Sequence, residues 1–397
     1  MKMRRTGAAT TRVVALLVGL GMLAAACGSD PDPAETAGEE PTAEATDDGA
    51  SEPAPEDTDT EAAAGEEPSM AFAGPQGETP TPASELVLSD EEIAQIQEGN
   101  YTAALVWHED SPFIRAVQKG VTEKFEELGI EIVAATTAEF DAARQADNVS
   151  TVLARNPDII VTIAVDPVSA AEAFRPAVDA GVEIVVLTTP PAGYSGGNEI
   201  VGIVTGELTA AGRGAAEMLG EELGGQGKVG WIFHDADFWF TNQRDQAFKD
   251  WLNHLYPDME IVAEAGFSDP ARVEEIAQAM LTQNPDLNGV YVAWSTAAAG
   301  MLSALRAAGN TDVKIVTNDL DVTLARDMVR GGNVIGIMSN ATVDAGRQLG
   351  IMAGYGLLDK EAPEMAVAPP VKVTADTIVE GWNTEFGEDP PADVTGG

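Results

Sequence analysis

The chain of 397 residues has a single cysteine, Cys27. No internal disulfide can form, so packing alone must hold the fold. Positive charge is also scarce. Twenty-two Lys and Arg stand against 65 Asp and Glu, a formal net charge of −43. No Lys or Arg occurs between Arg12 and Arg115. Phosphate recognition needs clustered cations, so no nucleic-acid partner is expected. Only three histidines are present, His108, His234 and His254. The signatures of common enzymes are missing: no Gly-x-Ser-x-Gly elbow, no P-loop, no dinucleotide glycine pattern after a strand. Gly193-Tyr194-Ser195-Gly196-Gly197 reads as a loop, because no helix follows it. Carboxylates are so plentiful that a glycosidase-like pair carries no information. Neither an enzyme nor a cofactor is expected.

Apolar residues make up 44% of the chain, enough for a sizeable core, and the length suits two domains. Lys2, Arg4, Arg5 and Arg12 form a basic head before an uncharged apolar run over 13–26. That run is too short to favour a spanning helix. It ends Leu23-Ala24-Ala25-Ala26-Cys27 and resembles a bacterial lipoprotein signal, with Ala24 where that family prefers Leu. The resemblance implies a signal over 1–27, a lipid anchor at Cys27 and an extracytoplasmic product held at the cell membrane. Ordinary cleavage after Ala24-Ala25-Ala26 is the alternative. Residues 28–84 are rich in Ala, Glu, Asp, Pro and Thr and poor in apolar side chains. Such a segment reads as a disordered acidic tether, since it cannot bury enough surface to offset its ordering entropy. Ser89-Asp90-Glu91-Glu92 then predicts a capped short helix.

From 101 onward, strands and helices alternate. Residues 103–107 are an apolar run that breaks at His108-Glu109-Asp110-Ser111-Pro112. Phe113, Val117, Gly120 and Val121 then share a helical face, with Ser111 suited to the N-cap and Pro112 to the first turn. Further apolar runs over 131–135, 159–165 and 182–187 alternate with helical patterns. A second series starts at 228–233 and opens on His234-Asp235-Ala236-Asp237-Phe238-Trp239-Phe240. A helix is expected from 242 to about 255. Strands over 260–265, 289–294, 313–317 and 334–339 follow, separated by helices. Both series run strand, His, acidic residue, aromatic, helix, strand. This predicts an α/β chain of two similar Rossmann-like lobes with parallel sheets joined by hinge strands. Ligands of such sheets bind outside the carboxyl ends of the strands.

Four stretches carry a family resemblance: ALVWHEDSPFIRAVQKGV, NPDIIVTIAVDP, NQRDQAFKDW and ALRAAGNTDVKIVTNDLD. Across about 101–374 the chain resembles the ribose-binding-protein-like substrate-binding lipoproteins of bacterial ABC importers, type I periplasmic binding proteins. The resemblance implies a cleft that closes on a small polar solute, carbohydrate above all, and hands it to an ABC permease. It divides the chain into a first lobe (85–204 plus about 341–370), a second lobe (205–340 plus about 371–374) and a tail (375–397). A monomer is expected. Carried over by position, the ligand contacts fall on Ser111, Phe113, Arg244, Phe267, Trp294, Asp319 and Asn340. One departure stands out: the Asp-Arg that grips sugar hydroxyls in ribose binders is Thr188-Thr189 here, which counts against ribose itself.

The residues themselves add candidates. Arg244 offers fixed donors to vicinal oxygens, with a structural ion pair as the alternative. Asp319 ends an apolar strand, where a carboxylate needs a hydrogen-bond partner: a ligand hydroxyl, or the next helix, for which Asp321 is the better cap. Trp107, Phe113, Phe238, Trp239 and Trp294 cluster at predicted strand ends and suit either a cleft or a core. Three consecutive aromatics at 238–240 cannot all point into one lobe. Asp110 is a further polar candidate in the first loop. His108 and His234 fall at matching loop edges, a nitrogen–oxygen set of the kind transition metals use, but the spacing fits no metal motif and no metal is assigned. Two other functions remain open: a sensor that hands its bound state to a receptor kinase, and a secreted glycoside or amide hydrolase.

Overall fold

A computed structural model describes residues 72–395. The signal, Cys27 and most of the tether therefore lie outside the described residues. In chain order the elements are β1 (Pro80–Pro82), α1 (Asp90–Gly99), β2 (Thr102–Trp107), α2 (Pro112–Leu128), β3 (Glu131–Thr137), α3 (Ala142–Leu153), β4 (Ile159–Thr162), α4 (Pro167–Asp179), β5 (Glu183–Leu187) and β6 (Gly202–Gly206). The chain then crosses to a second lobe: α5 (Leu208–Glu222), β7 (Gln226–His234), α6 (Trp239–Leu255), β8 (Asp258–Phe267), α7 (Val273–Gln283), β9 (Gly289–Val292), α8 (Ser295–Ala308), β10 (Lys314–Asn318), α9 (Val322–Val329) and β11 (Val334–Ser339). It returns through α10 (Thr342–Leu357) and β12 (Met365–Ala368), then crosses again to β13 (Val371–Val373) and α11 (Ile378–Phe386).

Each lobe is one sheet between two helical layers. The first sheet runs β1-β12-β6-β5-β4-β2-β3 and the second β13-β11-β10-β9-β7-β8. All pairings are parallel except β11 with β13. Central strands of such sheets are covered on both faces. That is why 103–107 reads as a continuous apolar run and why all five residues are buried. Ser111 caps α2 by accepting from the Ile114 N–H at 3.3 Å, with Pro112 in the first turn. Its neighbours α3 and α4 are capped in the same way by Asp141 and Asp166.

The lobes are joined at three places, after β6, after β11 and after β12. Two segments differ from the sequence expectation. Pro80–Pro82 pairs with β12 as an edge strand, so part of the expected tether belongs to the sheet. Proline is tolerated there because an edge strand leaves one row of amides unpaired. The expected tail holds α11, whose Ile378 and Trp382 are buried in the second-lobe core. Its amphipathic pattern is only nine residues long, too short to register as a helix on its own.

Helices α2 and α10 meet backbone to backbone. A Cβ at Gly120 would lie 1.9 Å from the Val343 carbonyl oxygen, and one at Gly346 would lie 2.1 Å from that of Val117. Neither oxygen can swing aside. We expect Gly346→Ala to lower the thermal midpoint: overpacking of about 1–3 kcal/mol outweighs the roughly 1 kcal/mol of helix propensity that alanine adds. An unchanged or raised midpoint would show that this crossing does not need glycine.

Candidate functional site

The carboxyl ends of both sheets face each other across a cavity of ≈ 50 Å³, several water molecules' worth of space. The first lobe contributes the loops after its strands: His108, Glu109, Ser111 and Phe113 after β2, Phe140 after β3, Ile163 after β4 and Thr188 after β5. The second lobe contributes His234, Phe238, Phe240, Thr241 and Arg244 around the β7–α6 junction, Trp294, Ser295 and Thr296 after β9, and Asp319 after β10.

Arg244 and Asp319 form the polar anchor. The Arg244 guanidinium is 1% exposed. Nη1 and Nη2 each donate to one carboxylate oxygen of Asp319 at 3.2 Å, and Nη2 also donates to the Ala293 carbonyl at 2.7 Å. Its plane lies over the Phe240 ring, 5.0 Å from the centroid. Asp319 Oδ1 accepts a third bond, from Asn340 Nδ2 at 2.7 Å. Two of the five guanidinium donors remain for a ligand: Nε–H, which has no partner, and the second N–H of Nη1. Asp319 adopts φ 64°, in the left-handed region. Thr188 takes the equivalent place in the first lobe with φ 58°. Each amide donates at 2.9 Å to the next strand over, Thr188 to Val204 and Asp319 to Met338. A β-branched residue rarely adopts this conformation, and such strain is held where the surroundings over-determine it.

The floor beneath Arg244 is fully buried. Asp245 accepts from the His234 amide at 2.9 Å and from the Tyr291 hydroxyl at 2.6 Å. Burial pushes its carboxyl up to about 6, while the neighbouring Arg244 pulls the other way. Asn318 donates to Tyr291 and to the Ala293 carbonyl, both at 3.0 Å. At the hinge, Asn340 donates its amide to Glu385 of α11 at 3.1 Å, and Glu385 also takes the Ser339 and Thr342 hydroxyls.

The apolar wall is built across the lobes. Phe238 stacks on His108, centroids 5.8 Å apart, and tilts against His234 at 5.9 Å. Phe113 and Phe240 meet at 6.4 Å. Phe238 and Phe240, which belong to the second lobe, are counted within the first lobe's core. The aromatic run at 238–240 divides as its length demands: two rings fill the cleft, and Trp239 turns to Phe72 at 5.9 Å. The helix begins at Trp239 rather than 242, because these rings gain burial that outweighs their poor helix propensity.

The sequence candidates therefore separate. Ser111, Phe113, Arg244, Trp294 and Asp319 line the cavity. Asn340 reaches it through Asp319. Phe267 sits one layer back, 4.7 Å from Trp294 and 5.9 Å from His234. Trp107 is a core residue whose indole N–H bonds Gln118 at 3.0 Å. Asp110 faces solvent, paired with Arg115 at 2.6 Å. Both histidines line the cavity, yet no group of three or more potential metal ligands occurs among the described residues. Glu109, Phe140 and Glu385 were not candidate ligand contacts. Nothing local marks Phe140 or Glu385, whose roles depend on chain segments far apart in sequence.

Burial holds both histidines neutral. It pushes His108 down to about 3, helped by His234, and His234 down to about 4, helped by Arg244. Burial pushes Glu109 the other way, up to about 7. The histidine stability is complete above pH 6.5, where the unfolded imidazole is also neutral, and is lost as pH falls toward the folded value. The Glu109 contribution has the opposite sign: complete below the ordinary carboxylate range and lost as pH rises through about 7. The two partly cancel, so the whole-protein pH curve is a poor reporter. The difference between His108→Phe and the wild type isolates one group. In the unliganded protein that difference should grow in favour of the variant, by a few kcal/mol, as pH falls from 6.5 toward 3. Parallel pH curves would show that His108 titrates normally.

Comparison with known proteins places this geometry. A family model described as a periplasmic binding protein domain matches residues 102–362. The D-apiose import binding protein of Actinobacillus succinogenes is 29% identical over 233 residues, covering 57% of this chain and 71% of the relative. The xylitol-binding protein of Mycolicibacterium smegmatis is 24% identical over 249 residues, covering 61% and 68%. A solute-binding protein from Agrobacterium vitis, solved with bound α-D-tagatopyranose, superposes with TM-score 0.65 at 20% identity, covering 72% of this chain and 98% of its own.

Proposed function

The chain belongs to the periplasmic binding protein domain family, and from that membership we propose that its cleft captures one sugar-like solute for delivery to an ABC permease. The observation that carries the reading is the enclosed cavity between the lobes, with a buried Arg–Asp–Asn anchor on one side and aromatic rings around it. Arg244 retains two donors and Asp319 Oδ2 a free lone pair, a fork suited to vicinal hydroxyls. The rings offer flat apolar faces to the C–H side of such a ligand. The relatives' named ligands, apiose, xylitol, and ribose or allose, are of this class. A cavity of ≈ 50 Å³ leaves no room for an oligosaccharide. The ligand's grip comes from both lobes, so binding favours the closed arrangement and no bond is broken. Neither the receptor-kinase sensor nor the hydrolase has a comparable observation in its favour.

The same reading places the protein outside the cytoplasm as a monomer, cleaved before Cys27 and anchored through a lipid on that residue. Residues 28–71 would then be the spacer between membrane and lobes, since Phe72 already packs on the first lobe. Supporting it is the run of basic head, apolar stretch and sole cysteine at its end.

Two measurements test these statements. Thermal unfolding should be screened against apiose, ribose, allose, tagatose, xylitol and myo-inositol. A solute at a hundred times its dissociation constant stabilises by about 2.7 kcal/mol, a midpoint rise of several degrees. One responder that is recovered chemically unchanged supports solute binding, and converted product would favour the hydrolase. Cys27→Ser should move the protein from the membrane fraction to the soluble fraction, and unaltered partitioning would remove the lipid anchor.

A further inference from the structure

A charge count of the cavity leaves one group unmatched. The charged side chains lining it are Glu109, Arg244 and Asp319, with His108 and His234 beside them. Arg244 and Asp319 neutralise each other through their paired hydrogen bonds. Both histidines are buried and uncharged. Glu109 has no ionic partner beyond His108 Nε2, 3.6 Å away. Arg115, one helical turn into α2, is turned outward to Asp110 at 2.6 Å. Among the described residues no lysine and no second arginine lines the cavity. The lobes thus bring together a cavity with one carboxyl that lacks a cationic partner, partly exposed and bordered by Phe113, Phe140, Phe238 and Trp294. A second buried polar atom is idle there as well: His108 Nδ1 has no hydrogen-bond partner.

We infer that the ligand is a hydroxylated ring compound bearing a primary amine, with its ammonium received by Glu109 among the aromatic rings. The inference rests on the solute-binding reading and names its chemical class more narrowly. Charge separates three ligand classes. An acid sugar would bring a further negative charge against Glu109 and Asp319, and the one guanidinium is already neutralised. A neutral sugar would bring Glu109 no cation, leaving it with the Ser111 hydroxyl as its hydrogen-bond partner and its proton largely retained. An ammonium brings three donors and a charge of the required sign. The ring faces add cation–π attraction, stronger where water is excluded. The ligand's hydroxyls remain free to meet Arg244 and Asp319, so the two halves of the site divide the work between charge and hydroxyl recognition.

Isothermal titration of the wild-type protein with matched pairs decides the matter: D-glucosamine against D-glucose, and D-galactosamine against D-galactose, near pH 7, where the sugar ammonium keeps its proton and its arrival favours the ionised form of Glu109. The expected result is that an amine binds about tenfold or more tightly than its parent, the range an enclosed ion pair with ring contacts supplies. Glu109→Gln should erase that preference, bringing the affinity for the amine down to that for the parent sugar. Equal affinities, or a preference for the parent sugar, overturn the inference while solute binding stands. A preference that survives in Glu109→Gln also overturns it, because the charge would then be read elsewhere. The neutral panel described above separates the two levels: if neither it nor the amines bind, the solute-binding reading falls and takes this inference with it.

Discussion

The site depends on one buried carboxylate. Asp319 stands in a left-handed backbone turn at the end of β10 and collects three hydrogen bonds, two from Arg244 and one from Asn340. A charge pair taken out of water repays its desolvation only when its remaining valences are satisfied. Here they partly are: the Ala293 carbonyl takes another guanidinium proton and Asn340 donates to Asp319 Oδ1, which leaves two guanidinium donors and a lone pair on Oδ2 open. The arrangement fixes three segments that are far apart in sequence. Arg244 comes from the first turns of α6, Asp319 from the loop before α9, and Asn340 from the strand that leads back to the first lobe. The polar anchor of the cavity and the hinge therefore share an atom, Asp319 Oδ1.

The hinge is tied again from behind. Glu385 of α11 accepts the Asn340 amide and two hydroxyls on either side of it. Lys119 of α2 donates to the Phe386 carbonyl at 2.6 Å, so the end of the same helix also touches the first lobe. A segment that looks like a trailing end thus braces one of the crossings between lobes. A change of lobe angle must be absorbed by these bonds or by the backbone at Ala341, itself at φ 50°.

The two lobes meet through rings more than through charges. Phe238 lies between His108 and His234, one from each lobe. A protonated imidazole in that position would be a buried charge between aromatic faces with a like neighbour, and burial keeps both rings neutral. The same low polarity raises Glu109 and strengthens the Arg244–Asp319 bonds. One property of the cavity, exclusion of water, therefore sets opposite shifts on acids and bases while sharpening every directed contact.

The sequence by itself determined the alternation of strand and helix, and with it the two-lobed α/β architecture. Buried parallel strands must be continuous apolar runs, and helices must repeat near every fourth residue; both periods are local and survive without knowledge of the fold. The same local chemistry marked Ser111 as a cap and Asp319 as a polar group at a strand end, whereas Arg244, inside α6, stood out mostly through the family resemblance. Tertiary structure decided the rest. Trp107 and Phe113 are equally apolar neighbours of one loop, yet strand pleat sends the first into the core and helix geometry turns the second to the cleft. Asp110 and Glu109 are adjacent acids, and only the approach of the second lobe distinguishes the solvated one from the enclosed one. Phe140, Glu385 and the β1 edge strand owe their roles to partners far away in sequence, respectively Phe238 across His108, Asn340 with its flanking hydroxyls, and β12. A local pattern records what a residue prefers; which surface arrives to satisfy that preference is fixed only when the lobes pack.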